Sequence, residues 1–131
     1  MSPLRSAAAI VAGFGFVNTA MWIGGGLISA VFHAAGFGGA AIAAIIGVSA
    51  LAAIMGGWIT ARIAGRAELQ HALVLAGIMG IIPVLIVLGG LPEGQPAWYP
   101  LAVGAVGVAG VLAGGWLRAS AAEATKESPA R

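Results

Sequence analysis

The sequence predicts an all-α integral membrane protein with four transmembrane helices. Only 8% of its 131 residues are charged and 60% are hydrophobic, whereas a soluble domain carries roughly 25% charged residues. Four apolar segments each exceed the ~20 residues that a helix needs to cross a bilayer. The 22 glycines suit helices that approach one another closely in lipid. The predicted membrane domain covers 1–118, with spans at about 6–32, 40–63, 69–91 and 97–117, and a polar cytoplasmic tail follows at 119–131.

Each span carries its own marks of a membrane helix. The first follows Arg5, and its apolar core is longer than the 7–15 residues of a signal peptide, so we expect a retained helix. The second ends where Arg62 and Arg66 appear, the third contains a helix-kinking Pro83, and the fourth ends before Arg118. The connections are short, so we expect consecutive helices to be antiparallel neighbours.

The basic residues predict the orientation of the four spans. If the spans alternate, all six cations fall on one side, because the connections at 33–39 and 92–96 contain no lysine or arginine. The six are Arg5, Arg62, Arg66, Arg118, Lys126 and Arg131. Cytoplasmic loops of membrane proteins are enriched in these residues, so both termini are expected in the cytoplasm. Six cations against four carboxylates is too small an excess to indicate a nucleic-acid partner.

Small residues recur at four-residue spacing on the second and fourth spans. Such spacing produces a flat helix surface on which another backbone can lie closely. The predicted helix-packing residues, called here the packing stripes, are Ser49, Ala53, Gly57, Ala61 and Gly65 on the second span, with Gly110 and Gly114 on the fourth. We favour contacts within the chain, with a contact to a partner chain as the alternative.

The tripeptide GGW occurs at 56–58 and again at 114–116, each time followed by an arginine. Duplication of a two-helix unit would produce such a repeat, as in some transporters. We favour the other interpretation, in which two helix ends at the same interface converge on the same residues. Neither copy has the lysine and hydroxyl spacing of a phosphate-binding loop.

Aromatic and basic side chains cluster at the ends of the spans. Trp and Tyr are enriched at both membrane interfaces, where Arg side chains extend toward the headgroups. The predicted interface anchors are Trp58, Arg62, Arg66, Trp98, Tyr99, Trp116 and Arg118. Trp22 lies deeper in the first span, where packing against another helix is the expected explanation.

Four of the polar residues within or beside the spans are candidates for a hydrogen bond or a ligand. Asn18 and Thr19 are near the centre of the first span, where we expect Asn18 to form an interhelical hydrogen bond or to contact a ligand or ion. His33 and His71 fall at opposite ends of the membrane, too far apart to bind one metal. Each is a candidate ligand for bacteriochlorophyll or haem, although interfacial hydrogen bonding is favoured and no cofactor or metal is predicted.

The sequence offers few residues in an arrangement typical of catalysis. The chain contains no aspartate and no cysteine, and none of its glutamates falls inside a predicted span. Proton-coupled transport usually requires a carboxylate within the membrane. We therefore do not expect an enzyme, and the small multidrug exporters are disfavoured.

Several short segments resemble a group of small four-helix bacterial inner-membrane proteins with no established activity. The matching segments are Arg5 with Ser6, IVAGF at 10–14, GGWITARIAGR at 56–66, HAL at 71–73, PAWYP at 96–100 and GGWLR at 114–118. The resemblance implies the four-helix topology and a bacterial inner membrane, and implies nothing about mechanism.

These observations lead to one functional expectation and two alternatives. We expect a non-catalytic accessory subunit of a larger membrane complex, with the lipid bilayer and other integral membrane subunits as its partners. Energy-transducing assemblies, either a photosynthetic reaction-centre–antenna complex or a respiratory complex, commonly carry such helical subunits and are the candidate class of complex. The alternatives are a small transporter or channel acting as a homo-oligomer, and a pigment- or haem-binding membrane protein.

Overall fold

A computed structural model describes residues 3–32, 38–65, 67–91, 93 and 95–127. Within these residues the regular structure is all helical, and four helices are long and apolar enough to cross a membrane, which confirms that part of the predicted fold. The helices are α1 (Pro3–Phe32), α2 (Gly39–Ala64), α3 (Glu68–Gly89) and α4 (Trp98–Glu127).

The ends of three helices follow from proline and glycine. α1 begins at Pro3, three residues before the predicted start, because proline is favoured in the first turn of a helix. α3 ends two residues earlier than predicted, and Gly90 follows it with a φ of 106° that favours glycine. α2 closes on Gly65, which is described below with the packing stripes.

α4 continues far beyond the predicted end of the fourth span. It includes most of the segment assigned to a polar tail, where alanine occupies 119, 121, 122 and 124. Alanine has the highest helix propensity, and extension of an existing helix avoids the cost of nucleation. The Thr125 hydroxyl also donates a 2.9 Å hydrogen bond to the Ala121 carbonyl oxygen. The cytoplasmic location of this segment stays a prediction.

The interior of the bundle is built from small residues. Its buried cluster consists of Ala53, Ala72, Leu75, Ala76 and Val111. α2 and α3 each contact the other three helices, whereas the described residues of α1 and α4 make no contact with each other. Many large apolar side chains point outward, including Trp22, Val31, Leu85 and Leu88. This reverses the distribution of a soluble domain and suits a surface that faces lipid.

Candidate functional site

A close backbone contact joins α2 to α4 at glycines of the packing stripes. A Cβ atom built on Gly57 would overlap the carbonyl oxygen of Val111. One built on Gly114 would overlap the carbonyl oxygen of Ile54. The two helix backbones therefore touch directly, and the absence of a side chain at these two positions permits it.

Other stripe residues are buried in the same region. Ala53 and Ala61 are fully buried, and a Cβ built on Gly110 would lie 2.7 Å from the Cβ of Ala53. The hydroxyl of buried Ser49 donates a 3.1 Å hydrogen bond to the sulfur of Met21 on α1. These four residues thus contact helices of the same chain.

Gly65 has a different role from the one predicted for it. Its φ is 66°, and its backbone N–H donates a 3.1 Å hydrogen bond to the Ala61 carbonyl oxygen. This left-handed conformation ends α2 and favours glycine. Gly65 is exposed, and a Cβ built on it would lie 2.8 Å from Arg5 Nη2 of α1, so it contacts a side chain of α1 rather than another helix backbone.

The two GGW segments each contribute to two helix contacts. In the first copy Gly57 faces α4 and Gly56 faces α1; in the second copy Gly114 faces α2 and Gly115 faces α3. In each GGW segment, one glycine therefore contacts the helix that carries the other GGW segment. The adjacent glycine contacts the helix that comes immediately before its own in the chain. The order of these roles is reversed between the copies, which favours convergence over duplication.

Thr60 is a buried polar residue that no pattern in the sequence predicts to be a site. It is fully buried, and its hydroxyl has no hydrogen-bond partner among the described residues. The hydroxyl oxygen occupies the space that a Cβ of Gly13 would fill. The carbonyl oxygen of Gly56 lies 2.8 Å from the same point, and Leu75 Cδ2 lies 3.0 Å from it. Gly13 therefore makes room for Thr60 where α1, α2 and α3 meet.

Four of the predicted interface anchors form two aromatic groups, one of Trp58 with Arg62 and one of Trp98 with Tyr99. The Arg62 guanidinium carbon lies 5.0 Å from the centroid of the Trp58 ring, a cation–π contact. The rings of Trp98 and Tyr99 meet edge to face, with centroids 6.1 Å apart. Trp58, Trp98 and Trp116 are exposed on the surface of the chain.

Charged residues of α1, α3 and α4 lie at one end of the bundle, called here the basic end. Arg118 Nη2 is 3.7 Å from Glu68 Oε1, and the Glu68 side chain is only 11% exposed. Glu68 Oε2 has no hydrogen-bond partner in the described part of the chain. Arg5 Nε donates a 2.8 Å hydrogen bond to the carbonyl oxygen of Ile63 near the end of α2. Arg66 lies outside the described residues.

Substitution of Arg118 by glutamine is expected to lower the free energy of unfolding by about 1–3 kcal/mol, because it leaves the Glu68 carboxylate nearly buried without its counter-charge. Unfolding in mixed micelles, followed by circular dichroism, measures this change. The control is Arg62→Gln, which removes an exposed cation–π contact and is expected to cost less than about 1 kcal/mol. Failure of Glu68→Gln to recover stability in the Arg118→Gln background would contradict the assigned ion pair.

Among the described residues of this chain, Asn18 forms no interhelical hydrogen bond. Its Nδ2 donates a 2.9 Å hydrogen bond to the carbonyl oxygen of Phe14, one turn earlier in α1. Asn18 and Thr19 are both exposed on the surface of the single chain. No helix of this chain covers Trp22, whose side chain is 84% exposed, so its packing against another helix stays a prediction.

An open groove of about 390 Å³ separates α1 from α4 and has α3 as its floor. Its walls include Asn18, Met21, Met79, Pro83, Tyr99 and Gly104. Pro83 packs directly on Gly104, where a Cβ would overlap the proline ring. The groove is mostly apolar, and the Asn18 amide is its polar group near the middle of α1.

The two histidines are not brought together by the described structure. His71 Nδ1 is 3.0 Å from the carbonyl oxygen of Ala67, which leaves Nε2 as the nitrogen available to a metal. His33 lies outside the described residues. No group of three metal-binding side chains occurs among the residues described here.

Comparison of the chain with known protein families, with curated proteins and with solved structures finds no match, so the resemblance noted above depends on its short segments alone.

Proposed function

We propose that the chain is a multi-pass protein of the bacterial inner membrane, with antiparallel neighbouring helices and both termini in the cytoplasm. Contacts of α1 with α2 support the antiparallel arrangement, since Arg5 lies near Ile63 and Gly24 lies near Val48. The gathering of arginines at the basic end supports the orientation, because positively charged segments stay in the cytoplasm.

Cysteine labelling tests this topology without background, because the chain contains no cysteine. Glu93→Cys and Glu123→Cys are a matched pair, since each replaces an exposed carboxylate. A membrane-impermeant maleimide is expected to label position 93 in intact cells and position 123 only after permeabilisation. The opposite pattern would reverse the orientation, and equal labelling of both in intact cells would contradict the four-span topology.

The proposed function is that of a non-catalytic accessory subunit that stabilises contacts in a larger membrane complex, either photosynthetic or respiratory. The observation that carries this proposal is the separation of small residues in the interior from large apolar side chains on the surface. Glycine and alanine contacts fill the interior, whereas Trp22, Val31 and Leu88 point outward with most of their surface uncovered. Large apolar side chains on an outer surface are available to lipid and to other membrane subunits.

Purification in mild detergent followed by mass spectrometry tests the proposed function. We expect the tagged chain to migrate in a large assembly with other integral membrane proteins in fixed stoichiometry. A harsher detergent supplies the control, since it should release the chain without unfolding its helices. Recovery of this chain alone at every detergent strength would refute the accessory function.

A small transporter or channel acting as a homo-oligomer is the second candidate function. The groove beside Asn18 favours it, because the groove places an amide near the middle of an otherwise apolar surface. Flux into liposomes by the unmodified protein should then exceed that of an Asn18→Leu variant. Equal flux by the two proteins would exclude a pathway along this groove.

A further inference from the structure

The outward face of α1 carries a regular row of residues that no helix of this chain covers. The spacing alternates between four and three residues, which is the spacing of a left-handed coiled-coil contact. The row, called here the α1 seam, consists of Leu4, Ala8, Val11, Gly15, Asn18, Trp22, Gly25 and Ser29. All are exposed except Gly25, which is half-buried. A Cβ built on Gly15 or Gly25 would meet nothing within 4 Å, so packing within the chain does not explain these glycines.

The centre of the α1 seam lies midway between the two aromatic groups. Met21, adjacent to Trp22, is hydrogen-bonded to Ser49. Ser49 precedes Trp58 by nine residues, about 13 Å along α2. Gly110, which packs beside Ser49 on Ala50, follows Trp98 by twelve residues, about 18 Å along α4. In the proposed membrane orientation, the seam centre is therefore far from both interfaces and from water.

The Asn18 amide at this depth has unused hydrogen-bonding groups. One of its two N–H groups donates to the Phe14 carbonyl oxygen. Within the described part of the chain, neither the second N–H nor Oδ1 has a partner. An unsatisfied polar group in hydrocarbon is costly. A group that satisfies the Asn18 amide must offer one hydrogen-bond donor and one acceptor. The amide of a second Asn18 offers both.

We propose that the α1 seam is the contact between two copies of this chain. The proposal depends on the membrane insertion proposed above, because two copies inserted in the same direction present parallel α1 helices. Equivalent residues of a parallel pair meet across the twofold axis. Each Asn18 then donates its second N–H to the Oδ1 of the other. Gly15 permits close approach of the backbones, and Gly25 leaves room for the indole of Trp22.

An asparagine in such a row has a known physical effect. It favours the register in which the amide is hydrogen-bonded, because any other alignment leaves the amide unsatisfied in hydrocarbon. The α1 seam thus favours two copies in register, whereas a purely apolar face would accept many partners. The other outward faces, including that of α3, remain available to the subunits of the proposed complex.

Disulfide cross-linking in native membranes tests the α1 seam. Trp22→Cys and Ile23→Cys form the matched pair, because both positions are exposed and lie at the same depth while Ile23 points away from the seam. We expect Trp22→Cys and Gly15→Cys to form homodimers several-fold more efficiently than Ile23→Cys. Equal cross-linking at 22 and 23, or none at 15 and 22, would overturn the proposal. Cross-linking of position 22 to a different protein would assign the seam to another subunit and would overturn it as well.

A second measurement isolates the amide. In liposomes, Asn18→Leu is expected to weaken dimerisation by about 3- to 30-fold, as measured by energy transfer between labelled copies. Asn18→Gln keeps the donor and acceptor and should weaken it less. Equal dimerisation by the unmodified protein and the leucine variant would refute the Asn18 pair. Alkaline extraction of the same membranes reports insertion, so loss of insertion is distinguished from loss of the dimer.

Discussion

Replacement of Gly57 or Gly114 by alanine is expected to destabilise the chain by about 3 kcal/mol. The added methyl group would overlap the Val111 carbonyl oxygen in the first variant and the Ile54 carbonyl oxygen in the second. A flexible side chain could rotate away from such an overlap, but a helix backbone cannot. The variants must therefore separate α2 from α4 along much of their contact.

Unfolding in mixed micelles, followed by tryptophan fluorescence, measures this loss. Gly47→Ala is the control on α2, where a Cβ would meet nothing within 4 Å. Gly107→Ala is the control on α4, where a Cβ would lie 3.7 Å from Met79 Cε, an ordinary contact. Both should be neutral or stabilising by up to about 1 kcal/mol, because alanine favours helix. Equal losses in control and test variants would refute the direct backbone contact.

Replacement of Gly13 by alanine is expected to have the next largest effect, a loss of about 2 kcal/mol. Its methyl group would overlap the Thr60 hydroxyl and lie 2.8 Å from the Gly56 carbonyl oxygen. Because α1 also meets α3 at this point through Leu75, the substitution should loosen α1 from both helices. Detergent-dependent unfolding of the Gly13→Ala variant measures the loss.

A double substitution isolates the overlap between the new methyl group and Thr60. Thr60→Ala removes a buried hydroxyl that lacks a partner among the described residues, which offsets part of the cost of also removing a buried methyl group. Added to Gly13→Ala, it should recover part of the lost stability, because the Thr60 overlap is removed while the close approaches to Gly56 and Leu75 remain. Gly26→Ala is the control on α1, since a Cβ there meets nothing within 4 Å. Strict additivity of Gly13→Ala and Thr60→Ala would contradict their contact.

Hydropathy was sufficient to predict the four helices but not the end of the last one. The apolar segments are long and contain few charges, a pattern that is typical of transmembrane helices. The pattern becomes polar after 117, and hydropathy therefore predicts that the span ends at 117. The helix nevertheless continues to Glu127. Once the apolar part of α4 is helical, the high helix propensity of the alanines that follow it extends the helix, although these residues are not part of an apolar segment.

The contact surfaces were only partly predictable. Gly57, Gly110 and Gly114 stand out because small residues repeat along one helix face. Gly13 has no such neighbours, and its partner Thr60 lies on another helix, so nothing in the local sequence joins them. For the same reason, the sequence did not show that Asn18 bonds within α1. One amino-acid sequence reveals the spacing of residues along each helix, but it does not reveal which faces of two helices meet.

The hydrogen bond from Arg5 to the Ile63 carbonyl oxygen has an electrostatic effect as well. The C-terminal end of a helix carries about half a negative elementary charge from its aligned peptide dipoles. Arg5 lies on that end of α2, and Arg62 stands in the same last turn. In the membrane orientation proposed above, a substitution that moves Arg5 would therefore also leave the C-terminal end of α2 without this compensation. The proposed orientation and the stability of the fold share one side chain, so we expect a change at Arg5 to affect both.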